Sequence, residues 1–288
     1  MSEAARSKGP KPRLSDADLS KKLKNEDAYE RRLKKLQLRM LAIQQAYLRQ
    51  GRRAAIVLEG WDAAGKGSLV RRLSERLDPR YCQVWPIGVP REEERRRHYL
   101  ARFWGRLPEP GTLAVFDRSW YGRVLVERVE RLASQAAWRR AYGEINDFER
   151  MLMDDGIRIV KLFLHISPQE QLRRFEERLS VPYKRWKLTA DDLRNRARWR
   201  DYAEAADEMF HRTSTVEAPW HIVPSEYKWY GRVTAIGIIA ARLSDGVDLT
   251  PPPADAAIAE AIALLRQKTP TAASSRRARS RSRAVPGG

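Results

Sequence analysis

Apolar residues recur at Tyr29, Leu33, Leu36, Met40, Ile43 and Tyr47, stepping by 4, 3, 4, 3 and 4. That spacing predicts one apolar face of a helix over about five turns, ended by Gly51. Short β-branched or aliphatic runs follow at residues 54–58, 83–87, 113–116, 157–166 and 221–223 and read as strands. Helical patterns fall between them at 68–77, 92–104 and 138–152. In the last of these Trp138, Tyr142, Ile145, Phe148 and Leu152 share a face. Ser167-Pro168-Gln169-Glu170 has the form of a capping box with proline at the first helical position. Apolar strands alternating with helices predict an α/β fold: a parallel sheet with helices on both faces.

Composition refines the picture at the ends of the chain. The 288 residues carry 56 Lys and Arg against 37 Asp and Glu, a net charge of +19. Residues 1–24 hold seven basic and three acidic side chains, and residues 250–288 seven and two. The remainder is still strongly basic, which points to a polyanionic partner. Residues 1–26 are expected as a basic flexible tail and 249–288 as a low-complexity basic tail, around one domain at 27–248. The final stretch, TPTAASSRRARSRSRAVPGG, has no apolar periodicity and is expected to be disordered. The longest apolar stretches, such as 236–241, fall far short of the roughly 20 residues of a membrane helix. MSEAARSKGPKPRLS lacks the apolar segment of a signal peptide. Cys82 is the sole cysteine, so an intramolecular disulfide and multi-cysteine metal sites are excluded. The expected compartment is the cytoplasm.

Gly60-Trp61-Asp62-Ala63-Ala64-Gly65-Lys66-Gly67-Ser68 contains G-x-x-x-x-G-K. It follows the first strand and opens a helix, the placement a phosphate loop needs for backbone N–H groups and a helix N-terminus to converge on an anion. Gly60, Ala63, Ala64, Gly65, Lys66, Gly67 and Ser68 are the candidate phosphate-binding residues, with Lys66 reaching the transferring phosphate. The usual Ser or Thr after the lysine is replaced by Gly67, so metal binding is expected to shift onto a carboxylate. Asp62 is then a candidate Mg²⁺ ligand, or a base orienting the acceptor phosphate. The third strand ends in Asp117, at the sheet edge where the loop lies, in position for a second metal carboxylate. Arg118 and Arg123 behind it are candidates for holding the acceptor phosphate.

Residues 173–200 carry ten basic side chains around a break at Pro182. This is the form of a helical lid over the phosphates of a P-loop kinase. Ten charges exceed what one phosphate needs and suit a long polyanion. Arg178, Lys184, Arg185 and Lys187, clustered at the break, are the candidate contacts for such a polyanion.

Several segments together resemble the polyphosphate kinase 2 family: GWDAAGKGS at 60–68, FDRSWYGRVLVERVE at 116–130, EINDFERML at 144–152, PYKRWKLTADDLRNRARW at 182–199 and RTSTVEAPWHIVPSEYKWYGRV at 212–233. The resemblance spans about residues 27–245 and is strongest to the polyphosphate:AMP phosphotransferase subgroup. It implies a thymidylate kinase-like fold and phosphoryl transfer between inorganic polyphosphate and a purine nucleotide, AMP or ADP, with GMP and GDP as further acceptors. It implies Mg²⁺, with Mn²⁺ as an alternative, and a homo-oligomer, dimer or tetramer. Carried over, Asp62, Lys66, Asp117 and Arg118 are the catalytic set and Gly67 matches the family pattern. Two other readings stay open on the residues alone. An ATP-dependent nucleotide kinase of the same fold would need an adenine pocket, for which no motif is found. A non-catalytic polyanion-binding or RNA-binding protein has only the basic tails in its favour. No membrane association is expected, and nucleic acid is not the expected partner.

Overall fold

The structure, a computed structural model, describes residues 10–268. The predicted first helix is α1, Glu26–Gln50. The Asn25 side chain accepts the Ala28 N–H at its start, and Gly51 closes it at φ +62°, a left-handed conformation that glycine adopts without penalty. Strand β1 (Arg53–Gly60) leads through the glycine-rich loop into α2 (Lys66–Ser74). Next come β2 (Cys82–Pro86), two single helical turns, α3 (Glu92–Arg95) and α4 (Ala101–Trp104), and β3 (Leu113–Asp117). A 3₁₀ turn at Trp120–Arg123 precedes α5 (Val126–Val129), α6 (Gln135–Asp154) and β4 (Ile157–His165). Helix α7 (Pro168–Ser180), a 3₁₀ segment at Pro182–Lys187, α8 (Ala190–Ala197) and α9 (Trp199–Thr213) precede β5 (Trp220–Pro224) and α10 (Lys228–Ser244).

All five strands are parallel, in the order β2-β3-β1-β4-β5. Helices α1, α2 and α10 pack together, as do α5, α6 and α9, each group against the sheet. The connection leaving β1 runs toward β2 and the one leaving β3 runs the opposite way, toward β4, which places a switch point, and the crevice it creates, outside the carboxyl ends of β1 and β3. Among the described residues, no helix is long and apolar enough to cross a membrane.

The helix predicted over 92–104 is broken into α3 and α4. Arg95, Arg96 and Arg97 crowd like charges into one turn, while Glu94 reaches across the break to Arg102 at 3.3 Å and Arg106 at 3.2 Å. The segment expected as an N-terminal tail contains a buried Leu14, whose N–H donates to Asp207 Oδ1 at 2.8 Å. Among the described residues, 250–268 form a separate unit. Within it lies a helix not foreseen from the sequence, α11 (Ala256–Lys268), with Ile258, Ile262 and Leu264 exposed. The stretch expected to be disordered, 269–288, lies outside the described residues.

One buried ionic network sits beneath the turn that follows β3. Lys161 on β4 donates to Glu149 Oε2 (2.7 Å), the Tyr121 hydroxyl (3.0 Å) and Thr213 O (2.7 Å). Glu149 Oε1 accepts from the Trp120 indole (3.0 Å) and the Tyr121 hydroxyl (2.7 Å). Burial pushes the Lys161 ammonium down from its ordinary value, and Glu149 opposes that shift. Glu149→Ala should therefore strand a buried cation, costing about 3–5 kcal/mol. Thermal unfolding should show a fall in Tm of about 10 °C. Glu149→Leu with Lys161→Met removes the stranded charge but leaves the Trp120 indole and Tyr121 hydroxyl without their acceptor, so it should recover only part of the loss. A Glu149→Ala protein melting with wild type would refute the account.

Candidate active site

The loop is shaped by backbone requirements. Gly60 has φ +138°, and a Cβ there would lie 2.4 Å from Leu164 O, so no other residue fits. Gly65, at φ +112°, caps α2. Lys66 is the first residue of that helix, nearly buried, with Nζ donating to Gly60 O (2.7 Å) and Trp61 O (3.1 Å). Burial, then Arg118, pushes its ammonium down, while Asp62, Asp117 and Glu59 hold it up.

Register delivers the second strand end. Leu58 of β1 pairs with Asp117 of β3, and the Arg118 N–H donates to Leu58 O at 3.0 Å. Arg118 adopts φ +65°, an unusual backbone conformation for a long side chain. Its Nη2 lies 3.0 Å from Asp62 Oδ1. Asp62, Lys66, Asp117 and Arg118 are thus brought to one point. Glu59, also at the end of β1, is buried and its carboxyl is pushed up by that burial. The Ser119 hydroxyl, donating to it at 2.7 Å, works the other way.

Other expected phosphate ligands are differently engaged. Ser68 Oγ donates back to Gly65 O at 2.9 Å, and the Ala64 N–H donates to Trp61 O at 3.1 Å. Ala63, at φ +62°, and Ala64 offer their carbonyls to Arg174 Nη1, at 2.9 and 3.0 Å. Gly67 lies inside α2. Arg123 pairs with Glu127 at 3.1 Å and lies 4.5 Å from the Tyr99 ring centroid, rather than beside Asp62.

The lid residues at the break are tied within the lid. Lys184 Nζ pairs with Glu177 at 2.6 Å, Arg178 donates to Lys187 O at 2.8 Å, and Arg185 donates to Leu179 O at 2.8 Å. Lys187 Nζ lies 5.2 Å from the Trp186 ring centroid. The lid base that meets the loop is Arg174, counted among the ten but not among the four singled out. It is 3% exposed and also donates to Ser225 O (2.6 Å) and Glu226 O (2.9 Å). Gln171, Asn195 and Trp199 complete the loop contacts; Asn195 and Trp199 fall within the 182–199 motif, but none of the three was singled out as a site residue. Gln171 Nε2 donates to Asp62 O (3.1 Å), Asn195 Nδ2 donates to Asp62 Oδ2 (2.8 Å), and Trp199 stacks on Trp61 with centroids 3.7 Å apart.

Among the described residues no three His, Cys, Asp or Glu side chains form a ready-made metal nest. Two carboxylates beside a phosphate loop nevertheless fit Mg²⁺, which keeps waters and takes the rest of its shell from substrate phosphates.

Residues 23–247 match the family model for polyphosphate kinase 2. The chain belongs to the polyphosphate kinase 2 family. It is 46% identical over 230 residues to a polyphosphate:AMP phosphotransferase of Pseudomonas syringae pv. tomato, a match covering 80% of this chain and 46% of that protein. It is 42% identical over 200 residues to an AMP/ADP-polyphosphate phosphotransferase of Meiothermus ruber, covering 69% of this chain and 73% of that one. The crystal structure of a polyphosphate kinase 2 from Arthrobacter aurescens TC1 superposes with a TM-score of 0.81 at 33% identity, over 90% of this chain and 95% of the other. The chain spans about half the length of the polyphosphate:AMP phosphotransferases it matches.

Proposed function

We propose that this polyphosphate kinase 2 family member moves a terminal phosphate between inorganic polyphosphate and a purine nucleotide, AMP to ADP and ADP to ATP, reversibly and with Mg²⁺. The observation that carries this reading is the meeting of Asp62, Lys66, Asp117 and Arg118 at the carboxyl ends of β1 and β3. A phosphate oxygen of the nucleotide attacks the terminal phosphorus of the polymer, and the bridging P–O bond breaks. The acceptor oxygen is already ionised at neutral pH, so charge neutralisation and alignment outweigh proton removal. Lys66 swings from the loop carbonyls to the moving phosphoryl group, and Arg118 holds the acceptor phosphate. Bound Mg²⁺, held by Asp62 and Asp117, supplies charge neutralisation on the phosphate oxygens. Arg178, Lys184, Arg185 and Lys187 track the polymer, trading their contacts inside the lid for its phosphates. A homo-oligomer in the cytoplasm completes the proposal.

The test is incubation of the pure protein with long-chain polyphosphate, Mg²⁺ and each of AMP, ADP, GMP and GDP, with chromatography of the products. Phosphorylation of AMP or ADP is expected. A folded protein yielding no phosphorylated nucleotide refutes the reading, and product formed only with ATP as donor points to an ordinary nucleotide kinase. The lid role has its own signature. Apparent affinity for polyphosphate should fall steeply with salt, and Lys184→Ala or Lys187→Ala should each flatten the log–log slope by about one unit. Slopes parallel to wild type would mean these side chains do not touch the polymer.

A further inference from the structure

The outer turn of the phosphate loop makes much of its contact with the lid. Gln171 and Arg174 of α7 hold the carbonyls of Asp62, Ala63 and Ala64. Trp199, at the start of α9, lies flat on Trp61 with an interplanar angle of 11°, and the Trp61 indole N–H donates to His165 Nδ1 at 2.7 Å. Between them Asn195 of α8 reaches the Asp62 side chain itself. Its Nδ2 donates to Asp62 Oδ2 at 2.8 Å, while its Oδ1 accepts the Tyr202 hydroxyl at 3.0 Å. A carboxylate can only accept and a phenol offers a proton, so these two neighbours fix which way the amide faces. Tyr202 is in turn packed against the core, with its hydroxyl 3.5 Å from Glu130 Oε1. Arg118 grips the other oxygen of Asp62 from the sheet side.

We propose that Asn195 is a positioning residue for Asp62: the lid, through Asn195 and its partner Tyr202, fixes one carboxylate oxygen while Arg118 fixes the other, so that Asp62 is aligned only when α8 is seated on the loop. The role assigned to Asp62 rests on the phosphotransfer reading above; the contact itself does not. Asn195 meets the site through the Asp62 side chain. It acts through Asp62, and its position 133 residues along the chain makes it a device by which lid closure completes the site. A misalignment of about 1 Å at such a carboxylate is enough to cost about 10²-fold in rate without weakening substrate binding in proportion.

The experiment compares wild type, Asn195→Asp, Asn195→Gln, Tyr202→Phe and the exchanged pair Asp62→Asn with Asn195→Asp. Asn195→Asp keeps the shape and removes the donor, setting a carboxylate against a carboxylate. It should lower kcat about 10- to 100-fold with the polyphosphate KM within about threefold of wild type. Asn195→Gln retains an amide donor and should recover part of the turnover, and Tyr202→Phe should lose less than Asn195→Asp. A role confined to lid stability would move KM and kcat together. Melting temperature supplies a readout independent of activity. Asn195→Asp should melt below wild type, and the exchanged pair, which restores one donor and one acceptor, should melt close to it. Asn195→Asp turning over within twofold of wild type, or an exchanged pair no more stable than Asn195→Asp, overturns the proposal. Wild type forming no phosphorylated nucleotide would instead defeat the phosphotransfer reading, with the melting series still deciding whether Asn195 holds Asp62.

Discussion

Lys66→Ala is expected to lower polyphosphate-dependent turnover by about 10²–10³-fold, the usual cost of removing one preorganised charge from a developing anionic transition state. The effect should fall on kcat, because Lys66 is the one base inside the loop and lies among the three carboxylates Asp62, Asp117 and Glu59. The fold should survive. In the structure Lys66 Nζ satisfies two carbonyls of the loop, Gly60 O and Trp61 O, and makes no ion pair among the described residues. Lys66→Arg should fail to rescue. The side chain is 9% exposed in a slot built for an ammonium on a thin stem, and a planar guanidinium presents its donors in a different geometry. Steady-state kinetics with AMP and long-chain polyphosphate, alongside circular dichroism and a melting curve, checks both halves. Near-wild-type turnover in Lys66→Ala would place the chemistry outside the loop.

The strands were legible because parallel strands covered on both faces are continuous apolar runs, and residues such as Ile56, Val115 and Val160 are shielded from either side. The convergence of Asp62, Lys66, Asp117 and Arg118 was legible for the same reason. Once β1 and β3 belong to one parallel sheet, their carboxyl ends share an edge, and the register of Leu58 with Asp117 follows. Periodicity failed at 92–104, where helical spacing persists in sequence but Leu100 and Phe103 are buried from a separate turn. Lid composition revealed how many cations were present and left open which way each points. Arg174 and Lys184 belong to the same basic count, yet one is buried against loop carbonyls and the other pairs with Glu177. Asn195 lies inside the 182–199 segment that carries the family resemblance, but nothing singled it out there, because it is neutral and remote in sequence from the carboxylate it holds. Its partner is visible only once α8 has been laid over the loop.

Asp117→Asn and Asp62→Asn should each abolish most Mg²⁺-dependent turnover, by about 10²-fold or more, because the hydroxyl that usually follows the loop lysine and holds the metal is missing here. The residue after Lys66 is Gly67, and the hydroxyl one place further, Ser68 Oγ, is turned back onto Gly65 O. Glu59 is buried and engaged by the Ser119 hydroxyl, so it cannot move into the crevice without abandoning that partner. The two variants should differ in their second readout. Asp117 lies at the end of β3 with its backbone locked in the ladder, so Asp117→Asn should change metal dependence with little change in stability. Asp62 also accepts from Arg118 and Asn195, so Asp62→Asn weakens a charge-assisted contact and should loosen the lid over the loop as well. A titration of activity against Mg²⁺ at fixed polyphosphate should shift to higher concentration for both, and Mn²⁺ should support turnover in wild type on the same ligands. Limited proteolysis at the lid should be faster in Asp62→Asn alone. If both variants keep the wild-type Mg²⁺ curve and turnover, neither carboxylate holds the metal, and charge neutralisation at this site falls to Lys66 and Arg118.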